Sequence, residues 1–180
     1  LCSAPGAVLK QALLDAGIGK DIYSFYDNGI KQPYFSVVAK NSDADKKEEF
    51  IRIIENVLTD LVENGFDKDT LRAGLNYYEF KYREADFGSY PPGLMYGLQM
   101  LDSWLYDDAK PFIHIEAEET FKQLREDIES DYFENLVKTA ILKNNHKSVV
   151  VVEPKKSLVE QEEKQLKEKL AAYKASLSEA

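Results

Sequence analysis

Residues 22–29, Ile22-Tyr23-Ser24-Phe25-Tyr26-Asp27-Asn28-Gly29, make this chain an α+β protein. Aromatic and β-branched side chains suit a pleated, half-buried surface, Asp-Asn-Gly is turn chemistry, and Tyr34 to Ala39 resumes the strand character. The pair predicts a β-hairpin, with Pro33 at the entrance of the second strand, where one missing N–H is tolerated. Upstream, Val8, Leu9, Ala12, Leu13 and Ala16 recur at helical spacing. Ser3 and Pro5 suit the N-cap and first turn of that helix, and Gly17 and Gly19 stop it.

Downstream, Ser42-x-x-Asp45 resembles a capping box, and Phe50, Ile54, Val57, Leu58 and Leu61 fall on one helical face before Asn64-Gly65. Asp67 can cap a following helix whose Leu71, Leu75, Tyr78, Tyr82 and Ala85 form a stripe, predicting a helical hairpin on one core. The aromatic run Tyr77-Tyr78-Glu79-Phe80-Lys81-Tyr82 reads as core and boundary packing before ligand stacking. Phe87-Gly88-Ser89-Tyr90-Pro91-Pro92-Gly93 predicts a structured break. Leu94, Leu98, Leu101, Trp104 and Leu105 restore a helix that ends by Asp107, Asp108 and Pro111, and further helices are expected at about 116–129 and 131–142. The four valines within Ser148 to Val152, next to Pro154, predict a third, buried strand. From Ser157 the composition turns to Glu, Lys, Gln and Leu. Leu166, Leu170, Tyr173 and Leu177 there make the narrow stripe of an extended helix that needs a neighbour.

The chain has 180 residues, 44% hydrophobic and 31% charged, enough for one soluble domain with an appendage. A formal net charge of -9 argues against a nucleic-acid or anionic membrane partner, and no apolar run approaches a membrane span. Nothing at the N-terminus reads as a signal peptide, and the single Cys2 has no partner for an internal disulfide, which fits a reducing cytoplasm. Leu1 is not an initiator Met and both ends run abruptly into helical patterns, as in a piece of something longer.

No self-contained active site emerges. Neither His-Glu-x-x-His nor His-x-x-Glu-His occurs, and His114 and His146 are far apart. Cys2 has no histidine neighbour in sequence, and Glu116, Glu118 and Glu119 are the acids a helix dipole favours in its first turn. Gly17-x-Gly19 and Tyr90-Pro91-Pro92-Gly93 lack the rest of a phosphate cradle.

Residues 79–91, Glu79-Phe80-Lys81-Tyr82-Arg83-Glu84-Ala85-Asp86-Phe87-Gly88-Ser89-Tyr90-Pro91, with Gly93-Leu94 and Leu101-Asp102-Ser103-Trp104-Leu105-Tyr106, resemble the presequence-protease branch of the insulinase/pitrilysin zinc peptidases. The similarity extends through Ala4-Pro5, Leu9 to Leu13 and Gly17-Ile18-Gly19 on one side and Asn145-His146-Lys147 and Pro154 on the other. The resemblance implies a large peptidase of four homologous α+β domains, its two halves closing around a chamber and joined by a helical hairpin. Residues 1–154 would be most of the non-catalytic second domain, lacking its first strand-helix segment, and residues 155–180 the start of the hinge.

The family's inverted zinc motif and its assisting basic and tyrosine residues belong to other domains. The resemblance therefore implies no catalytic or metal residue and no cofactor in this chain, and zinc in the parent enzyme. Its partners would be the catalytic first domain, the C-terminal half and short unstructured peptide substrates, in bacterial cytoplasm or else an organellar matrix. Phe87, Tyr90, Trp104 and Tyr106 are the expected interdomain packing residues. Losing Trp104 would cost the parent about 3–5 kcal/mol if its ring is fully buried. Asp107-Asp108 stands where relatives tend to have a glycine, so the local turn is open to difference. A free-standing module holding peptides on an aromatic face is the alternative, and an autonomous hydrolase is disfavoured by the missing zinc motif.

Overall fold

Alternation places Ile22, Val37 and Ala39 on one face of the hairpin and Tyr23, Phe25 and Tyr34 on the other. In the computed structural model, which describes residues 1–3 and 6–177, β1 (Asp21–Asp27) and β2 (Tyr34–Lys40) pair antiparallel, with Ile22 opposite Ala39 and Tyr26 opposite Phe35. Helix α1 (Val8–Asp15) covers the first face. Leu9, Leu13, Ile18 and Ile22 are fully buried there with Cys2, against Phe50, Ile53, Ile54 and Val57 of α2 (Lys47–Asn64). Each such burial contributes about 1.5–3 kcal/mol. The opposite sheet face stays open, with Phe25 edge-on to Tyr34.

Gly19 makes the join between α1 and the sheet possible. Its φ is +112°, and a Cβ there would stand 2.7 Å from the carbonyl oxygen of Lys40. The next amide, Lys20 N–H, donates to that same oxygen at 2.9 Å. Only a residue without a side chain lets the strands close at this corner.

Helix α2 carries a second small core, in which Leu58 and Leu61 pack on Val137, with Phe66, Ile141 and Leu142 around them. Val137 opens a π-helical segment (Val137–Leu142) that continues α6 (Tyr132–Leu136). Gly65, at φ 85°, ends α2, and Asp67 then caps α3 (Lys68–Glu84) by accepting from Thr70 N–H at 2.6 Å. The remaining helices are α4 (Pro92–Trp104), α5 (Glu118–Asp127) and α7 (Leu158–Ser176).

Several expectations are corrected. Ser3 does not cap α1: the chain enters through Gly6 at positive φ, and Ala7 holds the N-cap without a side-chain bond. Pro5 and the Ala4-Pro5 pair lie outside the described residues. Ser42 does not cap α2 either, because a 3₁₀ turn (Ala44–Lys46) intervenes and Lys46 pairs with Glu49. Helices α2 and α3 do not share a core, since α2 spends its apolar face on α1 and the α6–π segment while α3 packs on α5. Tyr78, expected on the buried stripe, is therefore exposed. Gly93 lies inside α4, which starts earlier than expected because a proline at the first helical position is already set to helical φ.

The valine run forms no strand. Residues 148–154 have no regular structure, and Val150 and Val152 are 78% and 87% exposed. A strand requires a second backbone to bond with, and among the described residues the only sheet is the hairpin itself. The chain divides into two compact units, Leu1–Lys147 and Ser148–Ala180. The first is α+β and rich in helix, with a small two-stranded antiparallel sheet. The second contains α7, whose Leu166, Leu170 and Tyr173 are all exposed.

Candidate functional site

The loop before α4 is built by local polar contacts. Ala85 ends α3 in the left-handed region at φ 49°, Gly88 follows at φ 61°, and Asp86 Oδ1 accepts from Gly88 N–H at 2.9 Å. This turn sets Phe87 edge-on against Tyr96 of α4, ring centroids 5.3 Å apart, and leaves Tyr90 exposed. Pro91 and Pro92 then start the helix.

Along α4, Leu94, Leu98, Leu101 and Leu105 recur at four-three-four spacing and form one stripe, with Trp104 at its flank. All are exposed, Leu98 by 49% and Trp104 by 46%. Phe112 and Ile113, beyond the polar turn that follows the helix, are exposed too.

That helix end is held tightly. Ser103, the buried residue of α4, donates its hydroxyl to Lys110 O at 2.6 Å. Asp107 accepts from Ala109 N–H at 3.1 Å and pairs with Lys110 at 2.9 Å. The Lys110 ammonium, then the Ala109 amide, hold the Asp107 carboxyl below the usual carboxylate range. Asp107-Asp108 thus makes a well-bonded turn by side-chain chemistry where a glycine would rely on backbone freedom. Tyr106, half exposed, donates to Gly29 O of the hairpin loop at 3.5 Å, and a Cβ on Gly29 would stand 3.3 Å from Asp102 Oδ1.

Helices α3 and α5 are joined by a polar seam. Tyr82 donates its hydroxyl to Ile115 O at 2.6 Å and accepts from Ala117 N–H at 3.1 Å, its ring tilted on Phe121. Glu79 bonds both Arg125 and Arg83, Arg125 also reaches Asn76, and Arg72 and Lys68 meet Glu129. Arg125 above all holds the Glu79 carboxyl below its ordinary range, and Arg72 does so for Glu129. Tyr82 bears out the packing reading of the aromatic run, whereas Tyr77, Tyr78 and Phe80 face solvent.

The four residues expected at a packing surface occupy one loop-helix-turn segment: Phe87 half-buried, Tyr90, Trp104 and Tyr106 exposed. The exposed leucines of α4 extend the set. Their spacing was legible, but periodicity reports that a face exists and not whether a neighbour covers it. Ser103 and Gly29 were not legible at all, because each acts through a backbone atom far along the chain.

Burial pushes the Cys2 thiol up, away from the nucleophilic thiolate. Glu118 and Glu119 lie in the first turn of α5, where the helix dipole accounts for them, with Glu119 paired to Lys122. Among the described residues, no group of three or more His, Cys, Asp or Glu could hold a metal ion. The described residues do not fit a zinc site.

No family model matches the chain. It is 43% identical over 179 residues to "Protein HypA" of Clostridium perfringens and 30% identical over 184 residues to "Presequence protease 1, chloroplastic/mitochondrial" of Arabidopsis thaliana, each time along 99% of its own length. It is also 27% identical over 168 residues to "Presequence protease, mitochondrial" of Schizosaccharomyces pombe. The chain spans only 18%, 17% and 16% of these three relatives.

Proposed function

We propose that the chain is a non-catalytic wall and packing segment of a zinc metalloendopeptidase of the presequence-protease kind. The observation that carries this reading is likeness along 99% of the chain to about a sixth of a presequence protease, with no metal-holding group among the described residues. A segment that does no chemistry of its own contributes by shape, and the open α4 face with Phe87, Tyr90, Trp104 and Tyr106 supports a packing role.

In this reading residues 1–154 are most of the second domain of the parent enzyme, and residues 155–180 begin the hinge between its halves. The partners are the catalytic first domain and the C-terminal half of the same polypeptide. Zinc, supplied elsewhere in the parent, would activate water to cut short unstructured peptides in a closed chamber. The setting is bacterial cytoplasm.

The test uses the longest natural polypeptide that contains this chain, assayed for cleavage of a quenched fluorescent peptide with and without a chelator. Chelator-sensitive cleavage is expected. Leu98→Asp and Trp104→Ala should lower it while bound zinc stays unchanged. Cleavage by the 180-residue chain alone, or full activity in both variants, would overturn the reading. Peptide binding by the isolated chain without cleavage would favour a binding module.

A further inference from the structure

The sequence holds two Asn-Gly pairs, Asn28-Gly29 and Asn64-Gly65, the dipeptide in which a backbone nitrogen without a neighbouring Cβ most easily attacks the preceding side-chain amide. The fold treats them differently. Asn64 is the last residue of α2, its side-chain amide donates to Asp60 Oδ1 at 2.7 Å, and Gly65 N–H donates to Leu61 O at 3.1 Å. Both reacting groups are held by the helix. Asn28 lies between β1 and β2, exposed, with no side-chain hydrogen bond among the described residues. The Gly29 N–H donates to the carboxylate of Asp27 at 3.1 Å, an acceptor able to take its proton.

We propose that Asn28 is a self-modification site, at which Asp27 acts as the base for spontaneous loss of the side-chain amide, and that Asn64 is spared. The bond between Gly29 N and Asn28 Cγ forms as the bond from Cγ to Nδ2 breaks. The Gly29 amide proton passes through the Asp27 carboxylate to the departing nitrogen, which leaves as ammonia. Water then adds to one of the two imide carbonyls, leaving aspartate or isoaspartate at position 28, with no oxidation or reduction. The product puts a new carboxylate next to Asp27 in the sequence, and the isoaspartate form lengthens the backbone just before the Gly29 carbonyl that Tyr106 contacts. Age would thus mark the loop whose Gly29 carbonyl meets Tyr106 at the end of α4.

The test is peptide mass mapping of the 180-residue chain after prolonged incubation at mildly alkaline pH. Trypsin releases residues 21–31 with Asn28 and residues 53–68 with Asn64, so each pair is read separately. Loss of ammonia and then the aspartate mass should accumulate in the first peptide only, an isoaspartate-specific methyl-transfer assay should turn positive there, and the two peptides should converge in denaturant. Asp27→Ala should slow the reaction several-fold, and Gly29→Ala should nearly stop it. Equal rates in the folded chain, a difference that persists in denaturant, or an unchanged or faster rate in Asp27→Ala would overturn the proposal.

Discussion

At the scale of single residues, Gly19 and Glu79 do most to position their surroundings. A Cβ at Gly19 meets a backbone oxygen that cannot swing aside, and the positive φ adds strain, so Gly19→Ala should cost about 1–3 kcal/mol. Thermal unfolding of the variant checks this, and a wild-type midpoint would contradict it. Glu79, tied to Arg125 and Arg83, has its carboxyl depressed in the folded chain. A depressed carboxyl contributes stability that is complete above its ordinary value of about 4.3 and is lost as pH falls through the folded value. Glu79→Gln should therefore flatten part of the loss of stability on acidification and change little else about the pH profile. An unchanged slope in melts below that pH would show that the pairs do not matter in water.

At the scale of elements, burial separates helices that look alike in sequence. Leu13 of α1 is fully buried and Leu98 of α4 is half exposed, although both sit on clean apolar stripes. Leu13→Ala should cost about 2–5 kcal/mol, whereas Leu98→Ala in the same chain should fall within about 0.5 kcal/mol of wild type. Denaturant titration of both reads the contrast. What was legible was whatever is decided within a few residues: the hairpin with its turn, the end of α2 at Asn64-Gly65, the Asp67 cap, and the break between α3 and α4. What was not legible depends on a neighbour distant in the chain. A stripe on α3 does not say whether α2 or α5 will cover it, and four valines do not say whether a second strand exists. The capping box at Ser42 failed for a local reason, since Lys46 found Glu49 and the chain tightened into a 3₁₀ turn. Phe87, Tyr90, Trp104 and Tyr106 were named from the sequence, whereas the openness of the α4 leucines became visible only through their exposure.

At the scale of the molecule, the first unit has well-packed cores around α1 and α2 and an open surface along α4, and the second presents apolar side chains from its valines through α7. No helix among the described residues is long and apolar enough to cross a membrane. Trp104→Ala, with nearly half of the ring already in solvent, should shift the melting temperature of the 180-residue chain only slightly, and far more in a longer polypeptide that covers it. Equal shifts would argue against coverage. The uncovered valines have one more consequence. A short uncharged β-branched run without regular structure, followed by Glu153 and Pro154, is the kind of segment that stacks copy on copy into cross-β fibrils. The chain kept at high concentration should gain thioflavin fluorescence after a lag, and Val150→Lys should abolish the gain while leaving the fold of the first unit intact. Colloidal lifetime, and not folding stability, would then set how long a solution of this chain remains clear.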